Sequence, residues 1–93
     1  MRWKLFATLA ETAGERHVSV AIDAAEPTLR DAFDALLAAH PDLETELLDQ
    51  DGCLADHVRL LCDGSDPFRE FDGWETTVEE NTELALFPPV SGG

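Results

Sequence analysis

The residues best suited to do chemistry stand at the end of the sequence, Phe87-Pro88-Pro89-Val90-Ser91-Gly92-Gly93, and the group they offer is the carboxylate of Gly93. A carboxylate is inert toward nucleophiles until it is activated. Adenylation by ATP would turn it into an acyl donor; sulfide transfer would then give a thiocarboxylate, and attack by a lysine amine would give an isopeptide bond. Gly92 and Gly93 carry no side chains to obstruct a narrow channel, so the backbone can approach an enzyme surface or a nucleotide closely. Pro88 and Pro89 bias the segment toward an extended polyproline conformation. At roughly 3.3 Å per residue, the six residues after Phe87 reach about 20 Å, enough to enter another protein's active site. Pro88, Pro89, Val90, Ser91 and Gly92 are therefore the residues a partner would read on its way to Gly93. The plain alternative is a frayed terminus, disfavoured because the segment leaves an apolar strand through Phe-Pro-Pro-Val.

Few other residues compete for a chemical role. Lys4 is the single lysine; if copies of the chain are joined by isopeptide bonds, Lys4 or the N-terminal amine must be the acceptor, the ordinary alternative being a solvated strand side chain. Cys53 and Cys62 make no disulfide framework and are expected to be reduced, buried or half-buried thiols. With His57 they have a spacing that matches no standard zinc pattern and lacks a fourth ligand, so no metal is expected. His17 and His57 are expected on strand surfaces, and His40 at the helix end. No nucleophile with its base, phosphate-cradling glycine loop or paired-carboxylate site is legible; the chain is expected not to be an enzyme, and no catalytic residue is assigned.

Twenty Asp and Glu stand against five Arg and one Lys, a formal net charge of −14 over 93 residues. Such a balance repels nucleic acid and anionic membranes, and neither is an expected partner. The acids are spread rather than gathered in a tail, which points to a solvated acidic surface. High ionic strength would screen its self-repulsion, so a salt-loving cytoplasm is expected. The longest apolar runs are far shorter than a membrane span, and Met1-Arg2-Trp3-Lys4 leads into a strand pattern rather than a signal peptide.

The elements that must position the tail follow from periodicity. Residues 3–9 alternate, with Trp3, Leu5, Ala7 and Leu9 on one side and Lys4, Phe6 and Thr8 on the other, which predicts a strand. A turn through Gly14 and a second alternating run over 17–22 suggest a β-hairpin. Leu29, Ala32, Phe33, Leu36 and Leu37 then form a helical stripe, opened by the Thr28/Asp31 pair and closed before Pro41. A short helical turn is expected over 42–48, a turn at Asp51-Gly52, and a strand over 57–62 stopped by Asp63-Gly64. Residues 74–78 are expected to form a short edge strand, and residues 84–87 the last strand, stopped by Pro88-Pro89. The helix stripe with Val18, Val20, Ile22, Leu5, Ala7, Leu9, Val58, Leu60, Leu84 and Leu86 would make the core. One domain is expected, α+β, with a mixed sheet and one main helix on one face.

The segment Leu84 to Gly93, with Leu5-Phe6-Ala7 and the turn around Glu11 to Gly14, resembles the MoaD and ThiS group of ubiquitin-like sulfur carriers, and most of all the small archaeal modifier proteins, here of haloarchaeal character. The resemblance implies a β-grasp domain over 1–87 and an extended Gly-Gly tail over 88–93, with the last strand beside the first in the sheet's centre. It implies activation of Gly93 by an E1-like adenylating enzyme that uses ATP, no cofactor being bound by this chain itself. In the small subunit of molybdopterin synthase, apolar residues on the exposed sheet face bind the large subunit; the matching positions are Phe6, Leu61 and Phe87, which the alternation also puts opposite the core. Aromatic side chains of the 63–83 segment, Phe68 or Trp74, could instead fold over them. The segment is longer than the usual connection before the last strand.

Three functions follow. The first is a cytoplasmic, monomeric protein modifier and sulfur carrier whose Gly93 forms a thiocarboxylate or is joined to lysines of target proteins. The second is a dedicated small subunit of molybdopterin synthase, partnered by the large subunit. The third is an acidic binding module with an inert tail.

Overall fold

The structure, a computed structural model, describes residues 1–56 and 58–88. Four strands form one mixed sheet: β1 (Arg2–Leu5), β2 (His17–Ser19), β3 (Arg59–Cys62) and β4 (Glu83–Phe87), in the order β2-β1-β4-β3. β4 lies in the middle, parallel to β1 and antiparallel to β3, while β1 and β2 are antiparallel. The last strand thus runs beside the first in the centre, as the resemblance implies.

Alternation along these strands separates two faces. Trp3, Leu5, Val18, Leu60, Cys62, Leu84 and Leu86 point into the core. Onto them packs α2 (Leu29–Ala39), which buries Leu29, Ala32, Phe33 and Leu36. Its start is fixed by a reciprocal capping box: Asp31 N–H donates to Thr28 Oγ1 at 3.4 Å and Thr28 N–H donates to Asp31 Oδ2 at 3.0 Å. The Trp3 indole N–H donates to the Ala32 carbonyl at 3.0 Å, tying β1 to the helix through a satisfied buried donor. After His40 ends α2, Pro41 opens a 3-10 turn, Pro41–Leu43, that runs into α3 (Glu44–Leu47), burying Leu43 and Leu47.

Four expectations are corrected. The strand expected over 3–9 ends at Leu5: the chain turns at Ala7 (φ 52°) into a short helix, α1 (Thr8–Ala13), closed by Gly14 at φ 82°. Leu9 still reaches the core, but from this helix, and Ala7 is exposed. A two-fold and a helical period both fit so short a run, which is why alternation misled. β1 and β2 do pair antiparallel, joined by α1 rather than by a simple turn. Second, Val20 and Ile22 are only half-buried because β2 ends at Ser19. Third, residues 74–78 make no strand; Gly73–Glu75 is a 3-10 turn, and Thr77 forms one isolated bridge with Thr28. Leu29 N–H donates to the Thr76 carbonyl (2.8 Å) and Val78 N–H to that of Pro27 (2.9 Å), so this stretch is pinned to the start of α2. Fourth, Cys53 is exposed, whereas Cys62 is buried as expected; both are free thiols.

Candidate functional site: the open sheet face and the root of the tail

β4 carries the chain out of the sheet. With β1 parallel on one side and β3 antiparallel on the other, its last residue, Phe87, sits at the end of the sheet where β1 leaves and β3 enters, in register with Arg59. Pro88 follows, half-buried. Pro89, Val90, Ser91, Gly92 and Gly93, assigned to the tail from sequence, lie outside the described residues, as does His57.

The side chains that alternate away from the core define the site. Lys4, Ala85 and Leu61 lie in one row across the sheet, since Lys4 pairs with Ala85 and Ala85 with Leu61. In the next row Phe6 stacks on Phe87, with centroids 4.3 Å apart and planes inclined by 11°. Phe6, Leu61, Ala85 and Phe87 are all half-buried and none belongs to the core cluster. The sequence therefore placed Phe6, Leu61 and Phe87 on one face, and the structure brings them together beside the point where the tail departs. Phe6, Leu61, Ala85 and Phe87 thus make an apolar patch on the side of the sheet away from the core.

The 63–83 segment leaves this face clear. Its aromatics gather on the helix side, where Trp74 packs against Phe33 (centroids 5.0 Å) and Phe68 against Trp74 (5.2 Å), with the Arg30 guanidinium 5.1 Å over the Trp74 ring. Of this segment's aromatics Phe68 and Phe71 remain exposed; α4 (Pro67–Glu70), which carries Phe68, is capped by Asp66. The folding-over of Phe68 or Trp74 weighed from sequence is thus overturned, because α2 offers them Phe33 and Arg30.

Polar groups at the site are few and simple. Lys4 Nζ lies 3.2 Å from Glu83 Oε1, both partly exposed. At the opposite end of β4 from the tail, Asp63 and Glu83 clasp each other: Asp63 N–H donates to the Glu83 carbonyl (2.8 Å) and Glu83 N–H to Asp63 Oδ1 (2.9 Å). His40, at the end of α2 as expected, has Nε2 3.2 Å from Glu15 Oε2, remote from the face, and His17 is exposed. Burial, and secondarily the charge of Asp63, pushes the Cys62 thiol above the usual range. Among the described residues no cluster of His, Cys, Asp and Glu could hold a metal, and no helix is long and apolar enough to cross a membrane.

A central parallel β1–β4 pair, one capped helix across one face and an apolar opposite face at the root of a Gly-Gly segment define a β-grasp protein of the ubiquitin-like kind. The chain belongs to the ThiS family, whose model matches residues 3–93 and so includes Gly92 and Gly93. It is similar over the full length of both chains to small archaeal modifier protein 1 of Haloferax volcanii, at 48% identity. It is 30% identical to small archaeal modifier protein 3 of the same organism, over 97% of this chain and 95% of that one. The crystal structure of the former superposes with a TM-score of 0.87 at 47% identity, covering all of this chain and 98% of that one.

Proposed function

We propose that this chain is a ubiquitin-like protein modifier and sulfur carrier that acts through the carboxylate of Gly93. The observation that carries the proposal is the placement of β4: a central strand that ends beside an uncovered apolar face and is followed directly by Pro-Pro-Val-Ser-Gly-Gly. A partner seated on Phe6, Leu61 and Phe87 would have the tail within its reach, since six residues can span at most about 20 Å. The full-length likeness to small archaeal modifier protein 1 supports the same reading.

The partner is an E1-like enzyme that adenylates Gly93, releasing pyrophosphate from ATP. The acyl adenylate then meets one of two nucleophiles. Hydrosulfide displaces AMP and leaves a thiocarboxylate, while a target lysine displaces AMP and leaves an isopeptide bond. This chain contributes the acyl group and the docking face; the catalytic side chains belong to the enzyme. Pro88 to Gly92 are the residues read in the enzyme's channel, and Lys4 is the internal acceptor if copies are linked. The acidic surface fits a cytoplasm of high ionic strength, in keeping with relatives from Haloferax volcanii.

Intact-mass analysis of the protein from its native host tests the proposal, together with a search for Ser-Gly-Gly remnants on lysines of other proteins. Exchange of one oxygen for sulfur at the terminus shows the carrier, and remnants show the modifier. A stable complex with a molybdopterin synthase large subunit, and no remnants, would instead mark a dedicated subunit. Absence of both products, with unchanged function after deletion of Gly92 and Gly93, would leave only the inert-tail binding module.

A further inference from the structure

The few cations of this acidic chain are not scattered. The four strands contain three of its six Lys and Arg, Arg2, Lys4 and Arg59, but only one of its twenty acids, Glu83. All four side chains occupy positions that alternate away from the core, so the strand positions of the open face carry two net positive charges while the molecule as a whole carries −14, although Glu80 borders Arg2 and Asp56 and Asp66 border Arg59. Arg59 pairs in register with Phe87 and stands beside the aromatic stack. A fourth cation, Arg16, lines an open cleft together with Phe6 and Glu11. The root of the tail therefore has two stacked rings with Arg59 in register beside Phe87 and Arg16 in a cleft with Phe6, each arginine having at least one acid in the same cleft. Strand propensity disfavours Asp and, less strongly, Glu, but it does not by itself select arginine.

We infer that the open face docks an apolar surface ringed by carboxylates, and that this ring is the E1-like enzyme's means of choosing this face of the molecule over every other. The inference rests on the docking of Phe6, Leu61 and Phe87 proposed above and adds the chemistry of the partner. At high ionic strength the Debye length shrinks to a few ångströms, so charge can steer little from a distance and acts chiefly at contact. Arginine suits that task, because its guanidinium meets a carboxylate with two parallel hydrogen bonds and is weakly hydrated. Any other orientation would bring acid against acid, and juxtaposed like charges penalise wrong partners and wrong registers.

The test measures the affinity of the purified activating enzyme for the full-length chain at fixed salt, by calorimetry, with melting curves to establish that each variant is folded. Arg59→Glu is expected to weaken binding about tenfold or more, Arg2→Glu by less, and Arg59→Lys only slightly. Arg69→Glu, on exposed α4 of the helix side, makes the same change in net charge and is expected to alter affinity less than about twofold. Replacing a carboxylate of the enzyme's docking surface by lysine should restore binding of the Arg59→Glu chain. Equal losses for Arg59→Glu and Arg69→Glu would show general repulsion and overturn the carboxylate ring. So would no loss for either. Phe87→Ala separates the two claims: if it weakens binding while Arg59→Glu does not, docking on this face stands and the charge ring falls. If neither variant matters, the docking face itself is wrong.

Discussion

The two faces of the sheet are built from neighbouring residues of the same strands, yet they answer to different constraints. On one side Trp3, Leu5, Leu84 and Leu86 are fully buried, and each is held by α2 and the turns that follow it. On the other, Phe6, Ala85, Phe87 and Leu61 bury part of their surface against one another and nothing of the core cluster reaches them. The first face is apolar because folding requires it. Folding would tolerate polar residues on the second, so its apolar character is in keeping with the docking proposed for it, at the end of the sheet where β4 ends. Side-chain alternation thus distinguishes residues that hold the domain together from residues that folding leaves on the open face.

Substitutions across β1 and β4 would break or sharpen this contrast. Leu86→Ala opens a cavity in the core and is expected to cost about 2–5 kcal/mol in urea denaturation at constant salt. Trp3→Ala should fall at the upper part of that range, since it also removes the indole donor to the Ala32 carbonyl. Phe87→Ala, one residue along the same strand, is expected to cost only about 1 kcal/mol, the worth of a stacked pair with its partial burial. Its loss should fall instead on affinity for the activating enzyme. Equal destabilisation by Leu86→Ala and Phe87→Ala would mean that the open face is a structural one.

The contrast was largely legible beforehand. The helical stripe of α2, its Thr28/Asp31 cap, the stop at Pro41 and the opposed sets Leu5/Leu60/Leu86 and Phe6/Leu61/Phe87 could all be read from spacing, because each reflects one period sustained over several residues. Short elements could not. Six residues of α1 offer fewer than two helical turns, and Leu9 fits a strand pattern as well as a helical one. Likewise, nothing in residues 63–83 announces that Trp74 packs on Phe33, because that contact depends on where the loop returns, which is set by the Thr28–Thr77 bridge. The excess of cations on the open face was also missed from sequence. The signal was present in the strand residues Arg2, Lys4 and Arg59, but it becomes visible only when strand order places them together.

The two thiols extend the comparison of buried and open surface to reactivity. Cys53 is exposed and should be alkylated readily at mildly alkaline pH, whereas Cys62 should react only after unfolding, since burial and Asp63 raise its thiol pKa. A thiol that holds its proton more tightly in the folded state adds stability that is fully present below the unfolded pKa and lost as pH rises toward the folded one. Unfolding curves from neutral to alkaline pH should show a decline that Cys62→Ala removes. An unchanged decline would assign it to other groups.

The smallest expected effect concerns Lys4. Its ion pair with Glu83 is solvent-exposed at both ends, 37% and 57%, so Lys4→Gln should change stability by no more than about 0.5 kcal/mol. The same substitution should abolish any self-linked species that run through an internal lysine, because the sequence has no other. Lys4 is also one row from the Phe6–Phe87 stack, on the face proposed to meet the activating enzyme. A copy already joined at Lys4 would therefore carry another chain across its own docking face, and should bind that enzyme far more weakly than the free protein. Purified self-linked dimer, compared with monomer in an adenylation assay, checks this directly. If the dimer's one free tail, that of the acceptor copy, is activated at the monomer's rate, then either the linkage does not pass through Lys4 or the enzyme does not use the open face, and mapping the linked residue decides between them.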